Sequence, residues 1–523
     1  MSTRMVPQQS WSQLKAGSSV HSGILAKNAL LNLASQMIPI PVVLITFPIL
    51  FRELGPDRFG FLSLLWAILG YLILLELGLT PATTKYVAES LAGGRNDEVS
   101  RIVWTAAVAQ GILGIAGATT IVGLTPMLVE RVLNLPNFLH DDARSAFYLL
   151  SLAVPIVIVT GSLSGVLEAA QRFDLVSVAR IVSTVLGYLG PVAVISLGFP
   201  FLWAVGSIVL AKFTGLLLLV VLDVAVFPEL AAPRLDWRIL RKLLTFGGWV
   251  AAARALNPAL LYLDRFLIAW LLPISAVGYY TVLFEIVSRL GIISASVASV
   301  FFPAFSSMGQ RDQLQKLYVR ELRWVLALAG PLVLALALFA EEVLRVWLGP
   351  DFGNSAAVFR LLLAGGLVGM LAPLANSLLQ SQGRPDILPK LYMAEVPLNI
   401  GLVWLLVNRA GLVGAAASFL VRAILETSAL VYISLSMTRT PSTPSGTMSR
   451  IDPKLVVSGS FLILAAILCM VINSSRLPIR LGMNLALLVV TSYFCWFYIL
   501  DDTDRALVNT LCLRDKLRGE GPT

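Results

Sequence analysis

Charge is what this 523-residue sequence has least of: Asp, Glu, Lys and Arg together make up 13%. That leaves too few solvating side chains for an ordinary soluble protein of this length. Histidine is nearly missing, with two copies, and there are three cysteines, Cys469, Cys495 and Cys512, all near the C-terminus. The first two fall in apolar runs, so no metal-ligand spacing and no disulfide framework is expected, and no cofactor or metal is assigned. Long polar connections are also missing. Most links between apolar runs are shorter than a spanning helix of about 20 residues, which excludes a soluble catalytic domain hung from the membrane part. The polar, Ser/Gln-rich start, residues 1–24, has no short apolar core and no A-x-A cleavage site, so it reads as a retained cytoplasmic tail.

What the chain does have is apolar length. Hydrophobic residues make up 57%, and the mean hydropathy is +0.83. Runs able to span a bilayer recur about fourteen times, at 28–52, 59–80, 102–126, 145–168, 175–197, 201–226, 244–271, 275–302, 323–345, 356–380, 387–408, 412–436, 455–473 and 481–500. The expected class is an all-α polytopic membrane protein. With the N-terminus cytoplasmic, about 25 of the 39 Lys+Arg fall inside and about nine outside, which also places the C-terminus in the cytoplasm. The basic stretch Arg234–Lys242 is then a topology signal and a lipid-headgroup contact, and no nucleic-acid partner is expected.

Two segments repeat without gaps. Leu167-Glu-Ala-Ala-Gln-Arg172-Phe-Asp174-Leu matches Leu379-Gln-Ser-Gln-Gly-Arg384-Pro-Asp386-Ile, each where a span exits to the cytoplasm. Leu54-Gly-Pro-Asp-Arg-Phe-Gly60 resembles Leu272-Pro-Ile-Ser-Ala-Val-Gly278 in an outer turn, and weaker similarity links the stretches around Ser207 and Ser418. The organisation expected is an N-terminal lobe at 25–227, a C-terminal lobe at 228–437, a Ser/Thr/Pro-rich linker at 438–453, two added spans within 454–500 and a cytoplasmic tail at 501–523. Six helices per copy puts both copies in the same orientation, an arrangement transporters use with the substrate site between the halves.

Ionisable side chains deep in a bilayer face a cavity or a partner. Arg254 and Glu285 reach similar depth on consecutive spans, and Arg289 follows Glu285 at i+4. Lys212 and Arg422 both stand near mid-depth, at matching repeat positions, with Glu426 at i+4 from Arg422. Glu395 lies roughly 12 Å inside the cytoplasmic face. The sum favours positive charge, so Arg254, Arg289, Lys212 and Arg422 are candidate cavity residues, and Glu285, Glu395, Glu426 and Asp264 candidate ion-coupling residues. Snorkelling accounts for Arg360 and is allowed for Arg289. Asp264-Arg265 also reads as a self-satisfied pair near the outer interface, and Arg254 with Glu285 as a structural ion pair. Glu76 and Glu168 come out near the cytoplasmic interface. Pro39, Pro41, Pro155, Pro191, Pro258, Pro331, Pro373 and Pro397 interrupt spans. Pro258, one turn from Arg254, is the candidate hinge.

Arg52-Glu-Leu-Gly-Pro-Asp-Arg-Phe-Gly60, Glu76-Leu-Gly-Leu79, Lys85-Tyr-Val-Ala-Glu89, Asp264-Arg265-Phe266 and Val277-Gly-Tyr-Tyr280, in this order and spacing, resemble the polysaccharide-transport family. That family includes O-antigen flippases and lies within a superfamily that also holds MATE transporters and lipid II flippases. The resemblance covers about residues 25–500. It implies two six-helix lobes around a central cavity, two extra C-terminal helices, and alternating access for an undecaprenyl-pyrophosphate-linked oligosaccharide in the bacterial cytoplasmic (inner) membrane. Its implied partners are membrane lipids, that lipid-linked glycan and other polysaccharide-assembly membrane proteins. The second outer turn, Leu271-Leu-Pro273, departs from the pattern, and no sodium-site pattern is evident.

A non-enzyme is therefore expected. A multidrug antiporter of the same superfamily remains an alternative, although organic cations want an acidic or aromatic site. A membrane-embedded polymerase or glycosyltransferase is a second, with only His140-Asp141-Asp142 as a concentrated outer polar group. A scaffold within an assembly complex is a third.

Overall fold

In the computed structural model the described residues are 35, 37–254, 256–307, 311–384, 386–437, 477–499 and 505. The described residues are 91% helical, and no strand occurs among them. In order, the helices are α1 (Pro39–Tyr71), α2 (Leu79–Ala92), α3 (Asn96–Met127), α4 (His140–Ser151), α5 (Ala153–Ala169), α6 (Phe173–Ser196), α7 (Phe201–Val226), α8 (Trp237–Arg254), α9 (Leu256–Leu271) and α10 (Ile274–Ser307). They continue with α11 (Arg311–Leu338), α12 (Ala340–Trp347), α13 (Ala356–Gly369), α14 (Ala372–Ser381), α15 (Ile387–Met437) and α16 (Leu477–Phe494). Ten helical stretches among the described residues are long and apolar enough to cross a membrane. The protein is a multi-pass, all-α membrane protein.

Two of those stretches are hairpins. Gly55 (φ 71°, ψ 170°) interrupts α1, and Gly411 (φ 56°, ψ −133°) interrupts α15; positive φ is open to glycine at little steric cost. Phe47 stacks on Trp66 with ring centroids 5.4 Å apart, whereas a straight helix would hold positions 47 and 66 about 28 Å apart. Each bend therefore turns one long apolar stretch into two antiparallel limbs. The span expected at 244–271 holds two helices, α8 and α9, with residue 255 between them outside the described set. The span expected at 455–473, the linker 438–453 and the tail 1–24 also lie outside it, as does 501–523 apart from residue 505.

By compactness the chain forms two units, Met1–Thr281 and Val282–Thr523. This division falls inside α10, whereas the repeat boundary read from sequence is 227/228. In the first unit, α2, α3, α5, α6 and α7 share a core that includes Leu79, Val87, Val103, Leu163, Val176 and Leu219. Thr83 and Ser162 share a hydrogen bond of 3.3 Å across α2 and α5. Leu210, Phe213, Leu217 and Val221 form an exposed apolar face on α7, as a lipid-facing surface must. In the second unit, Phe305, Tyr318, Leu322, Leu374, Leu378 and Leu430 form the core between α10, α11, α14 and α15.

The repeat is visible in helix ends. After α5, the Arg172 N–H donates to the Leu167 carbonyl at 2.8 Å, with Gln171 at φ 59°. After α14, the Arg384 N–H donates to the Leu379 carbonyl at 2.9 Å, with Gly383 at φ 71°. Both are left-handed C-terminal caps that satisfy carbonyls the helix leaves open.

One helix is cut in its interior. A tight turn, Leu72–Glu76, follows α1, then Leu77 (φ 47°, ψ 32°) and Gly78 (φ 69°, ψ 16°) are both left-handed before α2 resumes. Left-handed geometry is rare for leucine. Gly78 lies against the backbone of Gly247 on α8, so closely that a Cβ at either glycine would meet the other's main chain.

Candidate functional site

In the first unit, Lys212 is the twelfth residue of the 26-residue α7, near the middle of the helix. It shares a face with Ile208, Gly215 and Leu219, all buried, yet is itself only half-buried. No hydrogen bond or ion pair engages Lys212 among the described residues. Helical spacing, with i−4, i+3 and i+7 positions packed inward, aims the ammonium towards the interior of the unit and away from lipid.

Asp264 and Arg265 are also interior: they are 4% and 6% exposed. The Tyr280 hydroxyl donates to Asp264 Oδ2 at 3.2 Å. The Arg265 guanidinium lies over the Tyr262 ring at 5.4 Å, and Tyr262 and Phe266 pack against Tyr71 at 5.6 and 5.1 Å. Asp264 thus belongs to a buried aromatic and ionic cluster, not to an interfacial surface pair. Sequence reasoning missed Tyr71, because an aromatic in an apolar run gives no signal of its own, and held Tyr280 only as part of the Val277–Tyr280 motif.

Glu76 lies deeper than its sequence position implied. Its Oε2 accepts a hydrogen bond from Thr80 at 2.7 Å, and it meets Gly161, eight residues before the end of α5. That is about 12 Å inside the helix end. The reading near the interface failed because the chain continues as α2 to Ala92 after the break at Leu77–Gly78.

In the second unit, Glu285 and Arg289 form an ion pair along α10. On the second limb of α15, Arg422 Nη1 donates to Glu426 Oε2 at 3.2 Å, and both side chains are 12% exposed. The Arg422 guanidinium sits 5.4 Å over the Phe419 ring, and Phe419 meets Phe284 edge-on at 5.3 Å. From the first limb, the Tyr392 hydroxyl donates to the Glu426 carboxylate. Glu395, 4% exposed, accepts no hydrogen bond among the described residues, but feels the charges of Glu426 and Arg422. The bend at Gly411 therefore brings together three sequence candidates, Glu395, Arg422 and Glu426, plus Tyr392, which sequence reasoning missed. Two carboxylates share one guanidinium here, so the cluster has room for one more positive charge.

Arg254 closes α8 and Pro258 occupies the first turn of α9, where proline is tolerated without breaking the helix. Their side chains lie outside the described set. The polar group His140-Asp141-Asp142 forms the first turn of α4, and Asp142 pairs with Arg58 at 3.2 Å. At the helix ends outside the membrane, hydrogen bonding to Asp174 holds the Arg172 guanidinium above its ordinary value. Asp386 is held well below the usual carboxylate range by hydrogen bonds from Arg384 and then Lys390.

Comparison with known proteins adds to this picture. A protein of Shigella flexneri named "Putative O-antigen transporter" is 25% identical over 417 residues, covering 78% of this chain and 97% of that protein. The fold is similar to an inward-facing multidrug resistance MATE family transporter of the MOP superfamily, with a TM-score of 0.66 at 15% identity, covering 79% of this chain and 100% of the other. It is similar too to the lipid II flippase MurJ in its inward closed conformation, with a TM-score of 0.67 at 10% identity, covering 90% and 98%. The model of the family described as "Polysaccharide biosynthesis protein" matches residues 25–309, more than half of the sequence, and this chain belongs to that family.

Proposed function

We propose that this protein is a flippase that moves an undecaprenyl-pyrophosphate-linked oligosaccharide across the bacterial cytoplasmic membrane by alternating access, with both termini cytoplasmic. The observation that carries the reading is Lys212: a half-buried cation in mid-helix, turned inward, with no counter-charge among the described residues. Such a group is stable where water or an anionic ligand reaches it, and a pyrophosphate supplies that charge. Arg254, Arg289 and Arg422 add cationic groups to the same role. Glu285, Glu395, Glu426 and Asp264 are the candidates for coupling an ion to the cycle, and Pro258 for the hinge. Family membership and the name of the Shigella relative support a place in surface polysaccharide export. An organic-cation exporter would want the opposite charge at Lys212.

Physically, the polyprenyl tail stays in lipid while the pyrophosphate and glycan cross, so the chain needs a cationic, wet route and no chemistry on the cargo. The test is the lipid-linked saccharide pool of a deletion strain, with its sidedness. Units accumulating on the cytoplasmic face, with surface glycan lost, are expected, and Lys212→Ala should reproduce the defect at normal membrane abundance. An unchanged pool with intact surface glycan would overturn the reading, and units accumulating on the outer face would move the protein to a later assembly step.

A further inference from the structure

Two carboxylates lie outside every group described so far. Asp223, three residues before the end of α7, is 1% exposed, and Glu321, on α11, is 0% exposed. Neither accepts a hydrogen bond among the described residues. Among the described residues no charged side chain hydrogen-bonds to either carboxylate. Arg320 and Arg323 flank Glu321 on α11, neither hydrogen-bonded to it, and Tyr318 stands a turn before it with its phenol set against the Ser434 hydroxyl.

The repeat relates the two positions. Ser207 and Ser418 are 211 residues apart (418 − 207), and both hydroxyls donate to the carbonyl three residues back, Ala204 and Ala415, at 2.7 Å. The ends of α3 and α11, Met127 and Leu338, are again 211 apart (338 − 127). The same step takes Gln110 to Glu321 and Asp223 to Ser434. All four are buried to 1% exposure or less. Each copy therefore buries one carboxylate among neutral polar groups on its third and sixth crossings, and the carboxylate changes helix between copies.

An ionised carboxylate with no cation and no donor is far costlier in such a place than its neutral acid. We propose that Asp223 and Glu321 are two proton-binding sites, one per repeat, each holding a single proton on a carboxyl oxygen while its helices are closed. The proton comes from water and returns to water when the helices part enough to wet the acid, and no other bond changes. As a device within the transport cycle this rests on the flippase reading, but the protonation itself does not.

The test uses purified full-length protein in lipid nanodiscs without cargo, so it stands or falls apart from the flippase reading. Infrared spectra should show carboxylic-acid carbonyl absorption at neutral pH, part of which disappears in Asp223→Asn and part in Glu321→Gln. Because each amide mimics the neutral acid, both variants should reach normal membrane abundance. Raising the pH should reduce hydrogen-exchange protection of α7 and α11 in the wild-type protein and spare the α7 of Asp223→Asn and the α11 of Glu321→Gln. Unchanged carbonyl absorption in both variants, loss of abundance, or protection insensitive to pH in the wild-type protein would each overturn the proposal.

Discussion

Arg172 and Asp174 form a forked ion pair just past the end of α5, with Nε 3.0 Å from Oδ1 and Nη2 2.9 Å from Oδ2. After α14 Arg384 reaches Asp386 across the same spacing, Nε to Oδ1 at 3.0 Å, and Lys390 adds a second contact, Nζ to Oδ2 at 2.7 Å. In both copies the arginine follows a left-handed cap residue, and the aspartate locks the turn that starts the next helix. An i,i+2 clamp of this kind fixes the exit angle of one helix and the entry angle of another.

The caps differ in strain, and this gives a first prediction. Gln171 holds a left-handed φ of 59° that Gly383 reaches freely at 71°. Gln171→Gly should stabilise the protein, and Gly383→Gln destabilise it, by about 1 kcal/mol each. Thermal unfolding of the two variants in one detergent should shift in opposite directions; equal shifts would remove the strain argument.

The clamp should not respond to physiological pH. Asp386 is depressed by its partners, so its stabilisation is present above the unfolded carboxyl value of about 3.9 and is lost only as pH falls through the lower folded value. Hydrogen-exchange protection around residues 379–390 should therefore be flat between about pH 5 and 8. Loss of protection already as pH falls through about 4, the ordinary carboxyl value, would mean that the ion pair does not form in solution.

Arg422 neutralises Glu426 and lies beside Glu395, so removing it alone strands two carboxylates. Arg422→Met should cost about 3–5 kcal/mol, as expected for breaking a buried ion pair. Adding Glu426→Gln and Glu395→Gln should recover most of the lost abundance, measured as folded protein in the membrane. No recovery would show that Arg422 acts through its stacking on Phe419.

Arg58 and Asp142 are 43% and 35% exposed. Replacing Asp141 and Asp142 by alanine should change stability by at most about 1 kcal/mol and leave glycan export intact. Lost export with lipid-linked units accumulating on the outer face would instead place a catalytic group in this loop.

Much of the fold was legible because apolar length is the strongest signal a membrane chain has. The turn at Gly55 and the paired motifs at Arg172 and Arg384 were visible as sequence and are visible as structure. What stayed hidden was geometry that hydropathy averages away. The second span was ended at residue 80 because Lys85 and Glu89 lower the local hydropathy, yet α2 runs on to Ala92. The unwound residues Leu77 and Gly78 therefore lie within the bundle and not at its rim. Asp223 and Glu321 were passed over because both stand near the edges of their apolar runs, where a charge looks solvated; burial by neighbouring helices removed that water. Tyr392 and Tyr280 reach their carboxylates only once distant helices pack.

The meeting of Gly78 with Gly247 has a further mechanical meaning. Most helix pairs mesh through side chains like gear teeth, and any relative rotation must lift one tooth over another. Here bare backbone touches bare backbone at a point where the chain has already abandoned its helix. Such a contact behaves as a plain bearing, on which the segment ending at Glu76 and the one beginning at Leu79 can change their mutual angle with no interlock to climb. Alanine at either glycine would put a tooth on that bearing.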